Sequence, residues 1–180
     1  IAGERVRDEL LAILSLDGAN NHLEMLDELG LLCCIIPEFA FMKGVEQPRE
    51  HYWDVFDHSI QAVGGVERVV SGAAGDEVAE AVPWEEWIEE RFAQHATDGY
   101  DRRTLLKLAA LLHDVAKPQT KMVDSSGRTR FLGHHLLGAS MSGDILGRLR
   151  LSSRGTQMVS GIVENHLRPT QMSQGGEMPT

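Results

Sequence analysis

Apolar positions recur at the helical period along nearly the whole chain. From Glu4 to Leu16, the residues Val6, Leu10, Leu11, Ile13 and Leu14 keep mostly helical spacing, and Leu23 to Leu29 repeats the pattern before Gly30 ends it. Leu31 to Met42 is broken by Pro37, and Gly44 to Glu50, with Pro48, reads as a loop. From Tyr52 to Val70 the period returns, with Trp53, Phe56, Ile60 and Val63 on one face and a place to bend at Gly64 and Gly65. Ser71 to Asp76 reads as a loop, and Pro83 suits the start of a helix carrying Trp84, Trp87, Ile88 and Phe92. After Asp98-Gly99, Asp101 or its neighbour is expected to cap the stretch LLKLAALLHDVAKP, Leu105 to Pro118, which leaves only Lys107 to face water. His134 to Leu151 and Thr156 to His166 are helical again. The one strand signal is Thr120 to Leu132, where Asp124-Ser125-Ser126-Gly127 joins two short mixed runs. The pattern predicts an all-α bundle with one small β-hairpin near residues 120–132.

Composition adds bounds. A chain of 180 residues suits one domain with a single core. The net charge of −10 argues against a general nucleic-acid binder. It is unevenly spread: residues 1–100 hold 6 Lys and Arg against 21 Asp and Glu (−15), and residues 101–180 hold 11 against 6 (+5). The basic half could attract an anionic substrate, although the counts alone favour a solvated surface. Cys33 and Cys34 are neighbours without partners, so a disulfide framework and a thiolate zinc site are not expected, and a reducing, cytoplasmic setting is. No apolar run reaches membrane-spanning length, so no membrane partner is expected. Ile1 in place of a Met and the polar run GGEMPT lead us to expect a piece of a longer protein.

The chemistry gathers at His113-Asp114, set at the end of the most apolar helix. A carboxylate and an imidazole buried there cost roughly several kcal/mol unless they are hydrogen-bonded or bind a metal. His58, His134 and His166 also sit within or at the ends of helices, and His51, Asp54 and His58 share a stripe at i, i+3 and i+7. With Asp114, and with Asp54 as a further donor, these residues make a nitrogen and oxygen ligand set without sulfur, suited to Mn, Ni, Co, Mg, Fe or Zn. The alternative is a His-Asp hydrogen bond that ties core helices together.

The order His58, His113-Asp114, His134, His166 resembles the HD-domain superfamily of metal-dependent phosphohydrolases, whose helical bundle holds one or two metal ions. Six stretches, ERVRDELLAIL, ELGLLCCIIPE, QPREHYWDVFDHSIQAV, LAALLHDVAKPQTK, FLGHHLLGASMSGDILGRLRLS and ENHLRP, resemble the neck and C-terminal HD region of the bacterial tRNA nucleotidyltransferase/poly(A) polymerase family. The resemblance implies neck-like helices over residues 1–50, an HD domain over 51–170 and a polar tail over 171–180. It implies His58, His113, Asp114, His134 and His166 as ligands of a divalent metal ion, and Lys117 beside the substrate phosphate. Asp114 and Lys117 are the expected catalytic groups. Arg128 and Arg130 are further candidates for phosphate, and His51 and Asp54 for an additional or supporting ligand. The implied activity is metal-dependent hydrolysis of a phosphomonoester or phosphodiester, with nucleotide or RNA-end substrates and tRNA as a partner of the longer protein. The family's Gly-rich polymerase signature and paired catalytic aspartates are absent from this stretch, so it is not expected to add nucleotides. The further aspartate common in HD enzymes has no counterpart between His166 and Thr180. The competing expectation is a non-catalytic segment that holds structure and positions RNA.

Overall fold

The computed structural model describes residues 2–47, 52–72, 75–80, 82 and 85–175. The first helices, α1 (Gly3–Ser15), α2 (Ala19–Glu28) and the short α3 (Leu32–Ile35), lead into a 3-10 turn over Pro37–Phe41. They are followed by α4 (Val55–Ser71), α5 (Glu77–Glu80), α6 (Glu86–Ala93), β1 (His95–Thr97) and β2 (Tyr100–Asp101). The rest comprises α7 (Arg102–Leu112), α8 (Lys117–Thr120), β3 (Lys121–Val123), β4 (Thr129–Phe131), α9 (His134–Arg148), α10 (Ser153–Asn165) and α11 (Arg168–Gly175). Helix α7 is central and packs on α4, α10 and α1. Its Leu105, Leu108, Ala109, Leu111 and Leu112 are buried in one cluster with Leu14, Ile60, Val63, Val159 and Val163. Side-chain caps fix three helix starts: Asp54 accepts from Asp57 N, Asp101 from Thr104 N and Ser152 from Gly155 N. Such caps contribute roughly 1 kcal/mol each and set where the helix begins.

The hairpin expected near 120–132 is present as β3 and β4, antiparallel with Met122 opposite Arg130. A second two-stranded ladder, β1 with β2, was not expected. Its turn is the Asp98-Gly99 pair, at φ 55° and 85°, and its strands hold too few residues to display a two-residue period. Among the described residues no sheet exceeds two strands. Helix α4 runs unbroken through Gly64, whose missing side chain makes room for Asn20: a Cβ there would lie 3.1 Å from Asn20 Cγ. Helix α11 extends through residues 171–175, which the polar sequence did not announce as helical. Pro48, Pro83 and Trp84 lie outside the described residues. No described helix is long and apolar enough to cross a membrane.

One expectation for α7 is corrected outright. Lys107 does not face water but is 1% exposed. Its Nζ meets Glu67 Oε1 of α4 at 2.8 Å and donates to Leu16 O at 2.8 Å. Hydropathy places a lysine outside, and here a carboxylate from another helix and the carbonyl after α1 replace its water. Glu67 also accepts from Gly18 N and Ala19 N, at 2.7 and 2.9 Å, so one carboxylate joins the α1–α2 turn to α4 and α7.

Gly138 sets the approach of α9 to the core. A Cβ there would lie 3.3 Å from Val163 Cγ1 and 3.5 Å from His113 O. Gly138→Val is expected to overpack this contact and lower stability by about 1–3 kcal/mol, read by urea unfolding. An unchanged midpoint would mean that α9 has slack the contact distances do not suggest.

Candidate metal centre

Asp114 lies in the turn that follows α7, with its side chain 1% exposed. Four histidines from four segments surround it. His113 precedes it in the same turn, His58 comes from the second turn of α4, His134 opens α9 and His166 caps the C-terminal end of α10. Asp114 Oδ2 is 2.9 Å from His113 Nε2 and 3.6 Å from His58 Nε2. Oδ1 is 3.3 Å from His134 Nε2 and 3.9 Å from His166 Nε2. The ligand atoms form two groups, His58-His113-Asp114 and Asp114-His134-His166, each within 4.8 Å and sharing the carboxylate.

The protons on three of these rings can be assigned from their partners. Nδ1 of His113 is 2.7 Å from Ala110 O, Nδ1 of His134 is 2.6 Å from Phe131 O, and Nδ1 of His166 is 2.7 Å from Val163 O. A carbonyl can only accept, so each Nδ1 carries a hydrogen, and in its neutral form each ring presents an unprotonated Nε2 to the centre. When both rings are neutral, His134 Nε2 and His166 Nε2 face each other at 3.2 Å with lone pairs opposed. Both Asp114 oxygens are buried, and among the described residues neither receives a hydrogen bond of acceptable geometry despite the short distances. Burial, reinforced by charge on His113 and His134 and opposed by the Val163 carbonyl and Asp114, pushes the His166 pKa down to about 4. Burial works against ionised Asp114, but the charge and close contact of His113, the contact of His134 and the charge of Lys117 outweigh it and hold the carboxyl well below its ordinary range. A carboxylate with neutral imidazoles aimed at it fits a divalent cation, and backbone carbonyls holding the other ring nitrogen are the usual support of such ligands.

The remaining candidates fall in different places. Lys117, in the first turn of α8, joins the cluster with Nζ 2.7 Å from Asp114 Oδ2. Its ammonium also donates to Gln47 Oε1 at 2.5 Å and lies 5.3 Å from the centre of the Phe131 ring. Asp54 is not brought in: its two oxygens accept from Asp57 N and Gly44 N, which makes it the cap of α4. Arg130 pairs with Asp124 of its own hairpin at 2.7 Å, and Arg128 is exposed near the hairpin turn. His51 lies outside the described residues. Gln47 was missed as a site neighbour, although it opens the stretch QPREHYWDVFDHSIQAV. Its partner is 70 positions away, so no local pattern joins the two.

The HD domain family model matches residues 78–180. A second model, described as the probable RNA and SrmB-binding site of polymerase A, matches residues 1–42. The chain is 33% identical over 167 residues to an A-adding tRNA nucleotidyltransferase of Deinococcus radiodurans, covering 92% of this chain and 32% of that protein. It is 30% identical over 167 residues to a CC-adding tRNA nucleotidyltransferase of Thermus thermophilus, with the same coverage of 92% and 32%. It is also 30% identical over 146 residues to a bifunctional uridylyltransferase/uridylyl-removing enzyme of Rhodospirillum rubrum, covering 81% and 13%. The chain thus spans about a third of the length of the tRNA nucleotidyltransferases it matches.

Proposed function

Because the chain belongs to the HD-domain family, we propose that its histidine-aspartate centre holds a divalent metal ion and hydrolyses phosphate esters of nucleotides or RNA ends. The observation that carries this reading is the set of Nε2 lone pairs and unsatisfied carboxylate oxygens converging on one buried point. His58, His113, Asp114, His134 and His166 would be the ligands. A divalent ion bound there lowers the pKa of coordinated water toward neutrality and offsets charge on the phosphoryl group. Asp114 supplies the fixed negative charge and offers one oxygen to each histidine pair. The Nδ1 contacts hold each ring to its aim, so no reorientation is needed when substrate arrives. Lys117 offers a charge-assisted hydrogen bond to a non-bridging phosphoryl oxygen. In the hydrolysis, a water oxygen bonds to phosphorus, the bond from phosphorus to the leaving alkoxide breaks, and the alkoxide takes up the proton that water gives up. The uridylyl-removing relative is named for the loss of a nucleotidyl group, in keeping with a phosphodiester substrate. The reading also takes this HD domain to lie in a cytoplasmic, tRNA nucleotidyltransferase-like protein that handles tRNA, as its relatives are named for doing.

The test is hydrolysis of bis(p-nitrophenyl) phosphate by untagged protein stripped of metal and then supplied with Mn²⁺, Ni²⁺ or Mg²⁺. Activity is expected only with added ion, above the rate of the ion alone. No activity with any ion would leave the second reading, a segment that positions RNA without catalysis, favoured by the RNA-binding match over residues 1–42.

A further inference from the structure

We propose that Gln47 is a positioning residue for a phosphate site at the mouth of the centre, acting through Lys117. The proposal rests on the phosphohydrolase reading for its reaction, though not for its anion. Gln47 lies in the segment before α4 and is half-buried. The orientation of its amide is dictated by neighbours. Nε2 faces two carbonyls at the start of α4, Trp53 O at 3.2 Å and Asp54 O at 3.4 Å, and donates to both. The side-chain oxygen must therefore point the other way, where it accepts from Lys117 Nζ at 2.5 Å. The frame behind it is fixed as well: Val55 N donates to Val45 O at 3.1 Å, and Asp54 ties Gly44 N to the same helix start.

An ammonium has three hydrogens. In Lys117 one is donated to Gln47 Oε1 while the ammonium forms an ion pair with Asp114 Oδ2 at 2.7 Å, so donor capacity remains to meet an incoming anion. A lysine is otherwise a flexible point charge whose rotamers cost entropy to fix. Gln47 removes that freedom from outside the histidine-aspartate ligand set, with its own oxygen engaged by Lys117 and its nitrogen by two backbone carbonyls. Its expected signature is a change in phosphate affinity without a change in metal affinity. The ligand class is a phosphoryl oxyanion, whether free phosphate or the phosphoryl group of a nucleotide.

The test is a double-mutant cycle on the metal-loaded protein with Gln47→Leu, Lys117→Gln and the pair, titrating inorganic phosphate by calorimetry and metal separately. Gln47→Leu is expected to weaken phosphate binding roughly tenfold to a hundredfold, the scale of one hydrogen bond to a charged group. Metal affinity should stay within about twofold, and in the Lys117→Gln background the substitution should do almost nothing. KM for bis(p-nitrophenyl) phosphate should rise while kcat changes little. Equal losses in both backgrounds would make Gln47 a structural residue and overturn the proposal, as would unchanged phosphate binding in Gln47→Leu or a fall in its metal affinity. A wild-type protein that binds no phosphate also overturns it. One that binds phosphate through this pair yet hydrolyses no ester keeps the proposal and removes the reaction reading.

Discussion

Asp114→Ala is expected to abolish stabilisation of the protein by Mn²⁺ or Ni²⁺ while leaving the bundle folded. In the wild type, an ion at about 100 times its Kd adds about 2.7 kcal/mol, or roughly 5–11 °C in Tm for a chain of this size. The substitution removes the carboxylate that both ligand groups share, so neither group keeps an anionic donor. The fold loses less, because the buried charge disappears with its own desolvation cost and Lys117 keeps Gln47 as an acceptor. Metal-dependent hydrolysis should be lost together with the thermal shift. Differential scanning fluorimetry with and without each ion reads this directly. Equal shifts in both proteins would put the ion elsewhere; no shift in either would make the cluster structural.

The second large effect concerns a pair remote from the chemistry. Glu67→Ala leaves the Lys107 ammonium 1% exposed with a single carbonyl for a partner, and strips Gly18 N and Ala19 N of their acceptor. Breaking a buried pair in this direction costs about 3–5 kcal/mol. Lys107→Met should cost less, about 1–2 kcal/mol, because Glu67 is partly solvated and keeps its two amides. Urea unfolding of both variants gives the order, and a larger loss in Lys107→Met would mean that the lysine is not the vulnerable partner. The pair also sets an acid limit. Burial alone would raise the Glu67 pKa, but the Lys107 hydrogen bond and the Gly18 and Ala19 amides lower it below its ordinary value. A carboxyl depressed in the folded state contributes stability that is complete above its unfolded pKa of about 4.3 and is lost as pH falls through the lower folded value. Glu67→Gln should therefore flatten stability against pH in that acidic window and leave the slope near neutrality unchanged.

The contrast between Asp114 and Lys107 explains what was legible beforehand. Helices with one apolar face announced themselves, and a histidine-aspartate pair at the end of the most apolar one demanded a partner of some kind. His58, His134 and His166 could be picked out because each stands within or at the end of a helical segment and because their order with His113-Asp114 resembles that of the HD superfamily. Lys107 stands in the same surroundings and was read as the solvent-facing residue, because nothing near it in sequence shows the carboxylate 40 positions earlier. Gln47 and Lys117 are separated further still. The β1–β2 ladder failed for a different reason: strands of three and two residues offer a turn signal at Asp98-Gly99 but no alternation to go with it. What the chain encodes within one or two turns could be read, and what it encodes by meeting itself could not.

The three Nδ1 contacts at the metal centre share one form: each ring is held by the carbonyl three residues before it, at Ala110, Phe131 and Val163. Ring orientation is thus specified within a single four-residue segment each time, with no carboxylate recruited from elsewhere to steer it. Such a segment is portable. The sequence ALLH, FLGH or VENH, set at a helix boundary of an unrelated bundle, is expected to carry its imidazole's tautomer and direction with it, which leaves only the placement of the segments to be designed.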